Sequence, residues 1–162
     1  MALMILIAQT ACLTFLALWL TTGVRDNVLY PLNNEAFTAE VMTMARMQVD
    51  YPESYALVAH RKVESRKLQL LAFRLVVIWE LLACIALWAG VGVMVLAILN
   101  MIDTQIALAI GLAGTLMFTT TWAMFLIVGN HFSYWFSHEG AQNTHYQMTL
   151  WGIATMIFLA VA

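Results

Sequence analysis

Positive charge is missing from most of this sequence: every lysine and arginine lies between Arg25 and Arg74. Beyond Arg74 the only basic side chains are three histidines, His131, His138 and His145. Charged residues of both signs make up 10% of the 162 residues, against about 25% in an ordinary globular domain. Seven Lys+Arg against nine Asp+Glu leave a formal net charge of −2, which excludes a basic nucleic-acid binder and any acidic or low-complexity tail. Cysteine is nearly absent too. Cys12 and Cys84 stand alone inside apolar runs, so each is expected to be a buried thiol acting as a small hydrophobe, with no disulfide and no metal site implied. No Cys-x-x-Cys-His attachment site, phosphate loop or nucleophile–base constellation is present. What fills the chain instead is apolar bulk, 63% of all residues, against about 45–50% in soluble domains. A chain of this length has room for one domain, and this composition makes it an integral membrane protein.

A spanning helix needs about 20 mostly apolar residues. The first candidate, residues 2–24, is broken only by Gln9 and a few threonines. No Lys or Arg precedes it and it is longer than a typical signal-peptide core, so a retained helix is expected. The second runs over 70–90 or on to 99, the third over 105–128, and the last over 144–162. Asn100 and Asp103 mark a turn between the second and third, and Gly129-Asn130-His131 stops the third. The expectation is therefore an all-α, polytopic membrane protein: a single domain of four transmembrane helices with a small helical cap between the first and second.

The cap is the connection 25–67. Asn33 or Asn34 is placed to N-cap a helix that carries Phe37, Val41, Met44 and Gln48 on one face. Asp50-Tyr51-Pro52-Glu53 reads as a stop and a restart, with Pro52 early in the new helix and Asp50 and Glu53 at capping-box spacing. That helix is expected to run through His60-Arg61-Lys62 towards the second span. Arg61, Lys62, Arg66 and Lys67, just before that span, point to contact with anionic lipid headgroups. In the shorter connection, 131–143, Phe132, Tyr134, Trp135 and Phe136 predict an interfacial segment. The concentration of Lys and Arg in the first connection places it in the cytoplasm by the positive-inside rule.

These motifs together resemble a known family. Asn27, Tyr30, Asn34, Phe37, Val41 and Met44 fall in the order and spacing of the first connection of the DUF2165 family, small bacterial four-helix membrane proteins. Arg61 resembles the arginine before that family's second helix, and Val77-Ile78-Trp79-Glu80 resembles its Ile-x-Trp-Glu motif. Val128-Gly129, His131-Phe132 and Tyr134-Trp135 resemble its Gly and aromatic run. Leu29, Glu40, Ala45 and His60 depart from the pattern, as does the lack of basic residues at the N-terminus and in the second connection. The resemblance implies a multi-pass protein of the bacterial inner membrane with its first connection outside, opposite to the Lys/Arg count. It implies no activity.

Glu80 is the sharpest single feature, a carboxyl at hydrocarbon depth. Its charge there costs a few kcal/mol, so it must be protonated, paired or facing an aqueous pocket. Arg74 is about 9 Å along the helix and about 120° around it, so the two do not share a face. Gln9 and Thr120, in the run Thr119-Thr120-Thr121, are alternative partners. Glu80 reads either as a site for protons, cations or a polar headgroup, or as an interhelical bond that fixes packing. His131, His138 and His145 recur every seven residues, about 10 Å apart on a helix, so one metal ion cannot reach all three without a fold-back. Haem ligation would need two of these, or His60, brought together from different segments, and polar interfacial histidines among aromatics are the plainer reading. Met42, Met44 and Met47 lack the density of a thioether metal site. Gly90, Gly92, Gly111 and Gly114 allow close helix approach.

No catalytic or metal residues and no cofactor are expected. The favoured function is a non-enzymatic accessory or scaffold component of a membrane complex, with membrane lipids and a membrane-protein partner or a second copy as its contacts, and no nucleic acid. The alternatives are a proton- or ion-coupled carrier or small channel centred on Glu80, and a membrane redox protein using the loop histidines.

Overall fold

The two prolines, Pro31 and Pro52, both fall in the first connection, and the proline-free runs outside it fold as long helices. The computed structural model describes residues 1–161, so Ala162, the end of the expected fourth span, lies outside the described residues. The helices are α1 (Ala2–Leu29), α2 (Pro31–Thr43), α3 (Ala45–Asp50), α4 (Pro52–Val58), α5 (Arg66–Ile98), α6 (Thr104–His131) and α7 (Glu139–Ala160). Short 3-10 turns occupy Ala59–Arg61 and Tyr134–Phe136. No strand occurs among the described residues.

Three helices, α1, α5 and α6, are long and apolar enough to cross a membrane. The fourth expected span, α7, does not reach that measure, because it opens on the polar stretch 139–147 and leaves only 148–160 as apolar helix, about 20 Å at 1.5 Å per residue. It nevertheless packs along α6 and against α1, where Gln9 Nε2 donates to the Phe158 carbonyl at 2.7 Å. Several expected helix ends move: α6 runs through Gly129 and Asn130 to His131, past the expected stop at 128, and α7 starts at Glu139, ahead of the expected 144. α1 continues past Val24 to Leu29, which takes Arg25, Asp26 and Asn27 out of the connection and onto the helix. α5 takes the longer of its two expected ends, running 33 residues to Ile98.

The bundle core is largely apolar. Leu13, Leu16 and Leu20 of α1, Leu87 and Met94 of α5 and Phe118 of α6 are fully buried. The threonines among them are satisfied locally, Thr115 and Thr119 each donating to the carbonyl four residues earlier, which lets a hydroxyl sit in an apolar interior without a partner helix. Gly90, Gly111 and Gly114 sit where α5 crosses α6. Gly92, grouped with them by sequence, meets no neighbour. Asp103 caps α6 by accepting from the backbone N–H groups of Gln105 and Ile106.

The cap departs from its expected form in three places. α2 begins at Pro31 rather than at Asn33 or Asn34, since the chain only bends at Tyr30 before turning helical again. It ends at Thr43, capped by Met44 in the left-handed conformation at φ 56°, so Gln48 lies on α3 and not on the face shared by Phe37 and Val41. α3 stops at Asp50 and α4 restarts at Pro52 as the motif predicts, but Tyr51 holds the cap position and no side chain bonds the helix end. α4 does not continue through His60-Arg61-Lys62. The chain leaves the 3-10 turn extended, and Val63 N–H donates to the Met42 carbonyl at 2.8 Å while Gln69 Nε2 donates to the Val63 carbonyl at 2.8 Å. Those bonds tie the strap to both α2 and α5.

The two connections form one body. Met44, Met47 and Tyr55 of the first cluster with Phe132 of the second, and Phe136 packs against them. Phe132 and Tyr134 are therefore buried within the protein, and among these aromatics Trp135 is the exposed one.

Candidate functional site, a cavity beneath the cap

Glu80 is 5% exposed and faces the last turn of α1. There Asn27 Nδ2 donates to Glu80 Oε2 at 2.6 Å, and Asn34 Nδ2 of α2 donates to Asn27 Oδ1 at 2.5 Å. The carboxyl thus ends a relay of amides that joins α5, α1 and α2. Its partner is Asn27, because α1 continues to Leu29 and turns Asn27 inward. The other Glu80 oxygen makes no hydrogen bond among the described residues.

This relay borders a cavity of about 390 Å³. α5 supplies Ala72, Phe73 and Val76 to its wall, and α6 supplies Trp122, Phe125 and Val128. Phe37 and Val41 of α2 cover it, Phe132 and Tyr134 enter from the second connection, and His145 enters from α7. The Tyr134 ring stacks on His145 with centroids 6.0 Å apart, and its hydroxyl lies 3.5 Å from His145 Nδ1. Burial pushes the Tyr134 phenol up to about 12, so it stays a neutral hydroxyl at physiological pH. The ring lies there because residue 129 is glycine: a Cβ on Gly129 would stand 2.7 Å from the ring carbons of Tyr134. The indole N–H of Trp122 is buried with no acceptor.

Several residues singled out by sequence meet here and others do not. Asn27, Asn34, Phe37, Val41 and Glu80 all line the cavity. Trp79 points away and donates to Thr121 Oγ1 at 3.1 Å. Arg74 is exposed on α5 and makes no ion pair among the described residues, so it does not serve Glu80. Gln9 is occupied by the Phe158 carbonyl, and Thr120 is half-buried with no side-chain hydrogen bond among the described residues. Tyr30 is exposed at the α1–α2 bend, and Met44 sits in the cap core. Arg61 Nη1 reaches the His131 carbonyl at 3.4 Å, Lys62 pairs with Glu64 at 2.6 Å, and Arg66 pairs with Glu35. Lys67 is exposed.

The histidines occupy separate surroundings. His60 and His131 are exposed, His145 lines the cavity, and His138 is buried in the cap. No three His, Cys, Asp or Glu side chains gather as a metal set among the described residues. Cys84 lies 3.3 Å from Thr21 Oγ1, and Cys12 is half-buried; both are free.

His138 packs edge-on against Phe37 at 5.0 Å and lies 3.7 Å from Glu40, which also pairs with Arg46. Burial, with Arg46 second, holds its imidazole below the ordinary 6.5 against the opposing pull of Glu40. The unfolded chain therefore takes up this proton at a higher pH than the folded cap does. Cap stability is full above pH 6.5 and declines as the pH falls below it. Thermal unfolding followed from about pH 7.5 to about pH 5.5 should show a falling midpoint, with a shallower slope in His138→Phe. An identical slope in the variant would remove His138 as the cause.

Three helices long and apolar enough to cross a membrane, beside a polar-floored cavity lined in part by α2, are the form of a small integral membrane protein. The chain belongs to the DUF2165 family, described as a predicted small integral membrane protein, whose model matches residues 5–162. No curated protein and no solved structure matches it.

Proposed function

We propose that this is a non-enzymatic binding protein of the bacterial inner membrane, an accessory component of a larger assembly, whose cavity receives a small, mostly apolar molecule with one hydrogen-bonding head. The observation that carries this reading is convergence. Residues far apart in sequence through which the chain resembles its family, Asn27, Asn34, Phe37, Val41, Glu80, Gly129 and Tyr134, come together around one apolar cavity with a single carboxyl at its floor. Apolar walls with a few placed polar groups are the common form of a small-molecule site. In this reading α7 is a fourth crossing, short in apolar length because its polar turns lie beside the cavity. The Lys and Arg residues of the first connection favour a cytoplasmic cap.

Two features weigh against a carrier or channel centred on Glu80. The core beyond Glu80 is filled by buried Leu13, Leu16, Leu20, Leu87 and Phe118, and its threonines bond their own helices. A path across would require the bundle to open. A redox role for the histidines fares no better, since His60, His131, His138 and His145 lie in separate surroundings.

Ala72→Trp fills the cavity from its α5 wall. After polymer extraction of native membranes, mass spectrometry of the wild-type protein should find a retained small molecule that falls about tenfold in the variant. Equal retention in both would overturn the cavity as the binding site. Recovery of a lone monomer in every gentle extraction would overturn the accessory role.

A further inference from the structure

The polar and aromatic groups of the cavity are of one kind. The floor carries a carboxyl, and no lysine or arginine is found among the lining residues. Glu80 is buried, with one oxygen held by Asn27 and the other without a hydrogen bond among the described residues. Phe37, Phe73, Trp122, Phe125, Phe132 and Tyr134 surround the same space. Aromatic faces attract cations through the ring quadrupole, and more strongly once water is excluded. A buried carboxyl keeps its charge most readily beside a matching positive charge. Both features ask for the same complement.

We propose that the cavity binds an ammonium group carried on a compact apolar body, with the cation against Glu80 and the body among the rings. This rests on the cavity reading above and names its ligand class. At about 390 Å³ the space sits at the low end of small-molecule sites, which run from about 300 to 1,000 Å³, so the occupant is a compact amine and not a whole phospholipid. Asn34, Gly23 and Val128 are lining residues that are themselves exposed, and they mark the rim where α1 ends beside α2 and α6. An amine dissolved in the membrane would enter there. The ammonium headgroup of phosphatidylethanolamine offers the same chemistry, but brings a phosphate for which the lining has no lysine or arginine.

The test is calorimetric titration of the full chain in an uncharged maltoside detergent, with 1-adamantylamine and its isosteric neutral counterpart 1-adamantanol. Wild-type protein should bind the amine at least about tenfold more tightly than the alcohol. Glu80→Gln, whose amide oxygen still accepts from Asn27, should bring the amine down to the affinity of the alcohol and leave the alcohol unchanged. Ala72→Trp, which leaves the Glu80–Asn27 bond intact, should abolish binding of both. Added phosphatidylethanolamine that competes with the amine would assign the site to a lipid headgroup, and absence of competition would assign it to a free amine; either outcome supports an ammonium site. Equal affinity for amine and alcohol in the wild type would overturn the ammonium proposal while leaving the cavity reading intact. So would an amine advantage that survives Glu80→Gln. Binding of neither probe would overturn both.

Discussion

Asn27→Leu is expected to destabilise the protein by about 2–4 kcal/mol, because it removes the single donor to a buried carboxyl and puts a side chain of similar size that cannot donate in its place. Glu80 is only 5% exposed, and Asn27 is its hydrogen-bond partner. The same substitution removes the acceptor of the exposed Asn34 amide, whose bond to Asn27 closes α2 onto the end of α1. The loss falls short of the largest values for broken buried pairs because the second Glu80 oxygen borders the cavity, where water can replace part of what is lost. The measurement is the unfolding midpoint in mixed micelles with increasing dodecyl sulfate, followed by circular dichroism. Asn27→Leu combined with Glu80→Met should recover most of the loss, since removing both polar partners leaves nothing unsatisfied. A single variant within about 0.5 kcal/mol of the wild type would mean that the carboxyl has no need of the amide.

That partnership was hidden from the sequence for a definite reason. Arg25-Asp26-Asn27 reads as the polar end of a span, and a polar triplet usually is one. Here the helix runs on to Leu29 with Arg25 and Asp26 outward and Asn27 inward, so one residue of the three does something different from its neighbours. Glu80 itself was legible, because a lone carboxyl in a long apolar run is costly wherever it lies. Helical class, the three long apolar helices and the Asp50–Pro52 break were legible too, since each depends on local composition. Met44 was not. Methionine is no left-handed former, and its φ of 56° is held by packing against Met47, Tyr55 and Phe132, the last of these 88 positions along the chain. The inward packing of the aromatic connection was hidden for the same reason. Phe132 and Tyr134 look interfacial by type, and only the absence of a Cβ at Gly129 lets the Tyr134 ring lie inward.

Substitutions at two glycines of the bundle should change stability with opposite sign. A Cβ at Gly114 would stand 2.9 Å from the Ala86 carbonyl oxygen and 3.0 Å from the Ala86 carbonyl carbon and from Leu87 Cα. All three are backbone atoms, so no flexible side chain can swing aside and α5 must part from α6. Overpacking of this kind costs about 1–3 kcal/mol, which exceeds the gain of about 1 kcal/mol that alanine brings to a helix interior over glycine. Gly114→Ala should therefore lower the unfolding midpoint, and Gly114→Leu should lower it further or prevent folding. At Gly92 a Cβ meets nothing within 4 Å, so Gly92→Ala keeps the helix gain and should stabilise by up to about 1 kcal/mol. Gly90→Ala falls between them: its Cβ would lie 3.0 Å from Gly111 Cα, which cannot yield, and 3.1 Å from Leu13 Cδ2, which can. Equal effects at Gly114 and Gly92 would mean that glycine acts here only through helix propensity. The crossing also bears on the cavity. Gly114 lies two turns from Trp122 on α6, and Ala86 lies less than two turns from Glu80 on α5, so parting the helices at the crossing separates the wall that carries the rings from the one that carries the carboxyl. Gly114→Ala should thus weaken amine binding even where enough of the protein remains folded to measure it.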